Sequence, residues 1–422
     1  MNIYLYETRA SAEKLAPIAL TRPLFDLRCG AFTFLERLNR LRPDDSISLF
    51  VRVEQEAVTK ERFGLTVNPE TVEDGLWLNS TVFWTEPSLN LLESKEGIFT
   101  SDGAFVGAHF SSEMGQKWLE AGGPLNTSCP EDTGEEKNDL KSIIYLWDCI
   151  NENGHAIKAD AAHFPMGEVK GDIDDGTHLL NQDNIYVAEG ARVKAGAILD
   201  GESGPVIISE KVTVQPGAYL EGPLYIGNGS LIKAGAKIFG ETAMGPGCKI
   251  GGEVAETIFQ SWSNKQHDGF LGHSYVGEWV NLGAGTNNSD LKNNYSSVKV
   301  TVDGKQVDTE SLFVGLFMGD HAKSAIGTQF NTGTTVGPAC NVVATGFPPK
   351  EIPPFSWVMN RELQKYDFQK FIEAAKAAKG RRDQSFSAAE ESLFFNYGKN
   401  IGNNNVEIPV DEGRAADYII AL

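Results

Sequence analysis

The chain has 422 residues, a net charge of −20, and five cysteines with no C-x-x-C pair. That length predicts two or three domains with ample chain for a large core. The acidic balance argues against nucleic-acid or anionic-membrane partners, whose phosphates need a basic face, but permits a small anionic substrate met by local lysines and arginines. The scattered cysteines (Cys29, Cys129, Cys149, Cys248, Cys340) read as buried, reduced thiols. A basic-then-apolar leader is absent, as is any run near about 18 apolar residues, so a soluble, cytoplasmic protein is predicted.

Residues 1–170 alternate strand and helix patterns. Ile3-Tyr4-Leu5-Tyr6 predicts a first strand, and Phe34, Leu35, Leu38 and Leu41 a helical stripe ended by Pro43. Ile47 to Val53 reads as a strand and Glu54 to Phe63 as a helix. Strand runs Leu76 to Trp84 and Gly97 to Phe110 flank a polar loop, and the second carries a Ser101-Asp102-Gly103 turn. Residues 123–139 read as a loop and Leu140 to Asn153 as a helix. The pattern predicts an α/β, Rossmann-like domain with a mainly parallel sheet.

An acidic, glycine-containing stretch, 171–184, reads as a linker or first capping turn. Beyond it the period changes. Ile208, Val214, Leu220, Ile226, Ile232, Ile238, Met244 and Ile250 recur every sixth residue, each followed four places on by a mostly small side chain. A helix repeats near 3.6 and a strand at 2, so an unbroken six predicts a parallel β-helix of hexapeptide repeats. Each coil buries its aliphatic residue against the next. Val187, Val193 and Leu199 extend the repeat upstream; Phe270, Val276, Leu282, Met318, Ser324, Phe330, Val336 and Val342 extend it downstream. The coil domain is assigned to 185–347 with an insertion at 287–317, where Val298, Val300 and Val302 alternate before Asp303-Gly304 and predict a hairpin. Pro348, Pro349, Pro353 and Pro354 end the coil. Residues 348–422 form a helical extension, with helices ending near Gly380 and spanning Ser387 to Tyr397, that shields the last coil's open edge; the tail from Gly402 is polar.

Two stretches carry chemistry. Leu20-Thr21-Arg22-Pro23-Leu24-Phe25-Asp26-Leu27-Arg28-Cys29-Gly30 sets two arginines after a first strand, where guanidinium forks suit phosphoryl groups; the alternative is that Arg22 and Arg28 pair with Asp26 and other acids. This stretch, with Trp147-Asp148-Cys149-Ile150-Asn151-Glu152-Asn153, resembles the sugar-1-phosphate nucleotidyltransferases, closely the branch fused to an acetyltransferase. The resemblance covers most of residues 1–350. It implies attack of a sugar 1-phosphate on the α-phosphate of UTP or dTTP, with Mg²⁺ and the cations Lys14, Arg22 and Arg28 neutralising charge. The metal ligands are unknown; Asn79 is a candidate near a strand end. Where the family has a glycine-rich phosphate loop, this chain reads Tyr6-Glu7-Thr8-Arg9-Ala10, and a carboxylate at Glu7 would repel phosphate.

Gln266-His267-Asp268-Gly269-Phe270 leads into Val280-Asn281-Leu282-Gly283-Ala284-Gly285-Thr286. This resembles the acetyltransferase half of the bifunctional N-acetylglucosamine-1-phosphate uridyltransferases. The resemblance implies left-handed coils, a homotrimer with its site between neighbouring coils, and acetyl-CoA as co-substrate. His267 would take a proton from the amine of a hexosamine 1-phosphate, and Asn281 would orient sugar or base. Gly283, Ala284, Asp320 and Pro338 would surround coenzyme A, with amides near Ala284 holding the thioester oxygen. Phe270 replaces a family tyrosine, Lys237 a family arginine, and Lys265 is the candidate substitute for a missing phosphate-binding lysine. Lys292 and Lys299 could reach a neighbour's phosphate site. The main expectation is therefore a bifunctional sugar-nucleotide enzyme. The alternatives are a single-activity nucleotidyltransferase of glucose-1-phosphate thymidylyltransferase type, a regulatory sugar-nucleotide-binding protein with an inactive N-terminal domain, and a Zn²⁺ enzyme resembling the trimeric carbonic anhydrases that uses His267, His273 and His321.

Overall fold

The computed structural model describes residues 1–94, 98–101, 104–126, 135–136, 140–359 and 362–399. Asp102-Gly103 of the expected turn, Cys129 and the tail from Gly402 lie outside them.

The N-terminal domain runs β1 (Asn2–Tyr6), α1 (Arg9–Lys14), a ribbon of β2 (Arg28–Cys29) and β3 (Phe32–Thr33), α2 (Phe34–Leu41), β4 (Ser46–Phe50), α3 (Glu56–Phe63), β5 (Thr66–Val67), β6 (Gly75–Asn79), α4 (Glu86–Ser94), β7 (Ile98–Ser101), β8 (Ala104–Phe110), α5 (Ser112–Glu120), β9 (Glu135–Glu136) and α6 (Leu146–Asp160). Its sheet has the order β5-β4-β1-β6-β8-β7-β9. The first four strands are parallel, and β8 returns antiparallel to both β6 and β7. Alternation in β1 sends Ile3 and Leu5 to one core and Tyr4 and Tyr6 to another, so both faces are covered. Helix α4 occupies the expected polar loop: Ser88, Leu89 and Leu92 are buried, and Pro87 sits in the first turn, where its missing N–H is tolerated. The expected helix at Leu140 starts later because Ser142 bridges Val82 and the Asp148 carboxylate takes the amides of Ile144 and Tyr145.

The hexad stretch is a parallel β-helix. Its strands stack into three ladders, two of six strands and one of nine. All eight aliphatics from Ile208 to Ile250 are fully buried in one continuous core. The coil begins within the stretch expected as a linker, since Asp172–Ile173 and His178–Leu180 already pair with Arg192–Val193 and Ile198–Asp200. It also continues past the prolines through Glu351–Ile352 and Ser356–Met359, and the antiparallel strand Glu362–Lys365 closes that edge. One rung departs from the expected phase: Leu271, not Phe270, faces the core. The inward position six residues earlier is held by Lys265, which a pattern of aliphatics does not count. Cys29, Cys149, Cys248 and Cys340 are buried free thiols.

The N-terminal domain packs on the nine-stranded face, where Ile258, Tyr275 and Phe317 join its core. The insertion does form a hairpin, Lys299–Val302 against Lys305–Asp308. It turns toward its own N-terminal domain, burying Val298, Val300 and Val314 there, and Lys292 folds back onto the Ser297 carbonyl at 2.7 Å rather than projecting outward. Helices α7 (Phe368–Gly380) and α8 (Ala388–Lys399) cover the end of the coil through Phe371, Ile372, Ala375 and Phe394.

His273 anchors the insertion. Its Nδ1 lies 2.9 Å from Asp290 Oδ2, its Nε2 pairs with Glu256, and its ring stacks on Phe313 at 4.9 Å. Burial opposes its charge, but the hydrogen bonds to Asp290 and Glu256 outweigh burial and raise the pKa to about 9. A cation favoured by folding stabilises fully below its unfolded pKa near 6.5 and loses that contribution as pH rises through about 9, an upper bound of roughly 3 kcal/mol. The melting temperature is therefore expected to fall between pH 6.5 and 9, and His273→Gln to flatten that slope. Parallel pH profiles for the two proteins would refute the anchor.

Candidate functional site

The structure divides the expected site residues into two groups. The first lies at the interdomain junction. Arg22 is fully buried and donates to Asp26 at 2.9 Å and Asp320 at 2.7 Å, with Glu278 at 3.3 Å. Thr21 Oγ1 also donates to Asp320, at 2.7 Å, and Arg62 bridges Asp26 and Glu278. Burial disfavours an ionised Glu278, but Arg22 and Arg62 outweigh burial and hold its carboxyl well below the usual range. Arg28 donates its amide to Tyr275 Oη, sends its guanidinium to the Ala31 carbonyl, and lies over the Tyr225 ring. Arg22 and Arg28, expected to meet phosphate, are thus consumed in docking the N-terminal domain on the coil. Asp320, expected at coenzyme A, is 4% exposed inside the same network, and its second oxygen accepts the Glu278 amide. Pro338 is buried beneath Phe355, whose amide donates to its carbonyl at 3.0 Å.

The phosphate-loop position is filled from within. Glu7 has no exposed surface; it accepts the amides of Leu24 and Arg52 at 2.9 Å and the Arg52 Nε at 2.8 Å. Lys14 is exposed, 5.7 Å from the centroid of the Tyr145 ring. Asn79 ends β6, but its carbonyl oxygen already accepts the Thr81 amide and hydroxyl. A neutral, occupied amide is a poor Mg²⁺ ligand, and among the described residues no three His, Cys, Asp or Glu converge on one ion. The residues present do not fit the metal that the resemblance implies. The three histidines weighed for Zn²⁺ also stay apart: His273 is clamped by carboxylates, and His321 is buried among Phe371, Phe386 and Phe394.

The second group is brought together. His267 sits exposed in a corner of the coil, and among the described residues its ring makes no hydrogen bond. It lines an open groove of about 400 Å³ with Gln215, Lys233, Gly252, Asp268 and Ala284. The corner is held from both sides: the Asp268 carbonyl accepts the Gly285 amide at 3.0 Å, and Lys265 Nζ donates to the carbonyls of Gly251 at 3.0 Å and His267 at 2.9 Å. Lys265 is 2% exposed and points into the shaft, so it meets no substrate phosphate. Burial lowers its pKa to about 8, with Asp268 and Glu253 opposing. Its two carbonyl partners explain how a lysine occupies an aliphatic position.

Asn281 is exposed and accepts from Asn264 at 3.3 Å. Phe270 is half-buried beside the corner, its amide bonded to Asn287. The Gly283 amide is engaged by Ser324, while Ala284 faces the groove. Lys237 is exposed and paired with Glu253 at 3.2 Å.

Residues 3–168 match the sugar nucleotidyl transferase family model. A bifunctional sugar-1-phosphate nucleotidylyltransferase/acetyltransferase of Sulfurisphaera tokodaii is 35% identical over 136 residues, 32% of this chain and 34% of that protein. The bifunctional protein GlmU of Geotalea uraniireducens is 27% identical over 235 residues, 50% of this chain and 48% of that one. The chain thus spans a third to a half of the length of these relatives. A UDP-N-acetylglucosamine acyltransferase of Francisella novicida superposes with a TM-score of 0.28 at 11% identity, covering 52% of this chain and 74% of that one. Residues 3–168, which match that family model, are followed in this chain by a hexapeptide β-helix.

Sequence reasoning missed the coil carboxylates that receive Arg22. Glu278 and Asp320 lie 42 residues apart in sequence, and only the stacking of coils brings the Asp320 oxygen to the Glu278 amide. The one signal was the alternative already open for Arg22 and Arg28, pairing with acids. No local pattern named the partners.

Proposed function

We propose that the chain is a bifunctional sugar-nucleotide enzyme. Its coil transfers acetyl from acetyl-CoA to the amine of a hexosamine 1-phosphate, and its N-terminal half transfers a nucleotidyl group from UTP or dTTP to a sugar 1-phosphate. The observation that carries the first activity is the exposed imidazole of His267, without a hydrogen-bond partner among the described residues, in a groove shared by successive coils. An amine attacks a thioester only when deprotonated, and a free imidazole is the side chain suited to take that proton near neutral pH. The amine's lone pair forms the new amide bond, the C–S bond breaks, and the thiol of coenzyme A leaves. Asn281 orients the acceptor, and the Ala284 corner receives the thioester oxygen. The groove lies open on one side, which supports completion by a neighbouring coil in a homotrimer.

The match over residues 3–168 supports the second activity. Glu7 and the enclosure of Arg22 favour a different reading of that half: a docking or binding module without turnover. Two assays separate these. Coenzyme A thiol release with acetyl-CoA and glucosamine 1-phosphate tests the coil, and its absence across hexosamine phosphates would end the acyl-transfer reading. Pyrophosphate release from UTP or dTTP with a sugar 1-phosphate tests the N-terminal half; none with either nucleotide leaves the docking role.

A further inference from the structure

Beside the His267 groove lies a group of basic side chains. Outward positions on one ladder follow the register Leu231–Lys249–Asn264–Asn281, which sets Lys249 two rungs from Asn281. Lys233, a lining residue of the groove, lies on the neighbouring coil, its Cβ packed close to Gly251. From the other side the end of α7 delivers Arg381 and Arg382. Arg382 is fastened there, donating to the Gly247 carbonyl at 3.0 Å and Asn264 Oδ1 at 2.8 Å. Asn264 in turn donates to Asn281, so the arginine is linked to the groove by one continuous run of amides.

These cations lie close enough to repel one another. Burial, followed by repulsion from Arg382, Arg381 and Lys233, pushes the Lys249 ammonium down, and among the described residues no carboxylate opposes that push. In a chain with 57 acidic residues, four basic side chains gathered without an ion-pair partner among the described residues are poised to receive an anion. A guanidinium already oriented by two hydrogen bonds loses little freedom when a phosphate arrives.

We infer that Lys233, Lys249, Arg381 and Arg382 form a phosphate-binding site shared between the coil and the C-terminal extension, adjoining the His267 groove. The ligand chemistry is a phosphate monoester. Its source is either the 1-phosphate of the acyl acceptor or the 3′-phosphate of coenzyme A, and only this choice of source rests on the acyl-transfer reading. The site takes over the work expected of Lys265 and Lys237, one of which is buried and the other paired. It also gives the C-terminal extension a role beyond covering the coil's edge.

The test is calorimetric titration of the full chain with glucosamine 1-phosphate, with adenosine 3′,5′-bisphosphate, and with inorganic phosphate as reference. One ester is expected to bind at least about tenfold tighter than inorganic phosphate, with affinity falling as salt rises. Lys249→Ala combined with Arg381→Ala is expected to weaken that ester by tenfold or more and to flatten its salt dependence. Arg382 is left intact because it ties the helix end to the coil, and an unchanged melting temperature certifies the double variant. Equal binding by variant and parent overturns the site, as does parental binding no tighter than to inorganic phosphate. Retained ester binding without any acyl transfer sinks the proposed activity but leaves the site standing.

Discussion

Replacing His267 by alanine is expected to lower acetyl transfer by roughly a hundred- to ten-thousand-fold while leaving the melting temperature unchanged, since general-base catalysis contributes in that range. The two halves of this expectation have separate physical grounds. The imidazole is exposed and makes no hydrogen bond among the described residues, so its removal leaves no buried group there unsatisfied. The corner that presents it is held through the backbone by Lys265 and Gly285, neither of which touches the ring. Thiol release from acetyl-CoA under saturating acceptor measures the first half and thermal melting the second. Full turnover in the variant would remove His267 from the mechanism.

Arg22→Leu is expected to act in the opposite way, on stability before activity. It leaves Asp26, Glu278 and Asp320 gathered in a buried junction without the cation that compensates them. Breaking a buried pair from one side costs about 3–5 kcal/mol, because the remaining charge stays desolvated. Arg62 still serves Asp26 and Glu278, but among the described residues Asp320 keeps only Thr21 and the Glu278 amide. The junction should therefore loosen, lowering the melting temperature by several degrees and admitting protease between the N-terminal half and the coil. Arg22→Lys should fall between, since a point charge cannot serve three carboxylates as a fork does. If Arg22→Leu melts like the parent and resists protease equally, the network does not hold the domains together. Such a result would return Arg22 to candidacy as a phosphate ligand.

The same junction explains why the leading expectation for Leu20 to Gly30 went astray. An arginine after a strand end looks alike in sequence whether its acid partner is a phosphate or a carboxylate. Only the fold reveals that the carboxylates partnering Arg22 come from coils some 250 to 300 residues later. Lys265 teaches the converse. It is polar in sequence and inward in structure, and so it both broke the apparent phase at Phe270 and was mistaken for a surface cation. Helix α4 escaped notice for a local reason: three buried positions and a proline give too short a signature to separate from a loop.

The amino-acid order by itself determined the coil, because a repeat of six admits one way of burying every aliphatic in register. It likewise determined the corner with His267 and the Asn281-to-Thr286 segment, whose spacing is local to adjacent coils. Tertiary structure alone decided where the charges went. Arg22 was drawn inward to Asp320, Arg28 to Tyr275 and the Ala31 carbonyl, and Glu7 to Arg52, while Lys249 and Arg382 have no acidic partner among the described residues. Ion pairing depends on distance in space, and distance in space is what a linear pattern does not carry.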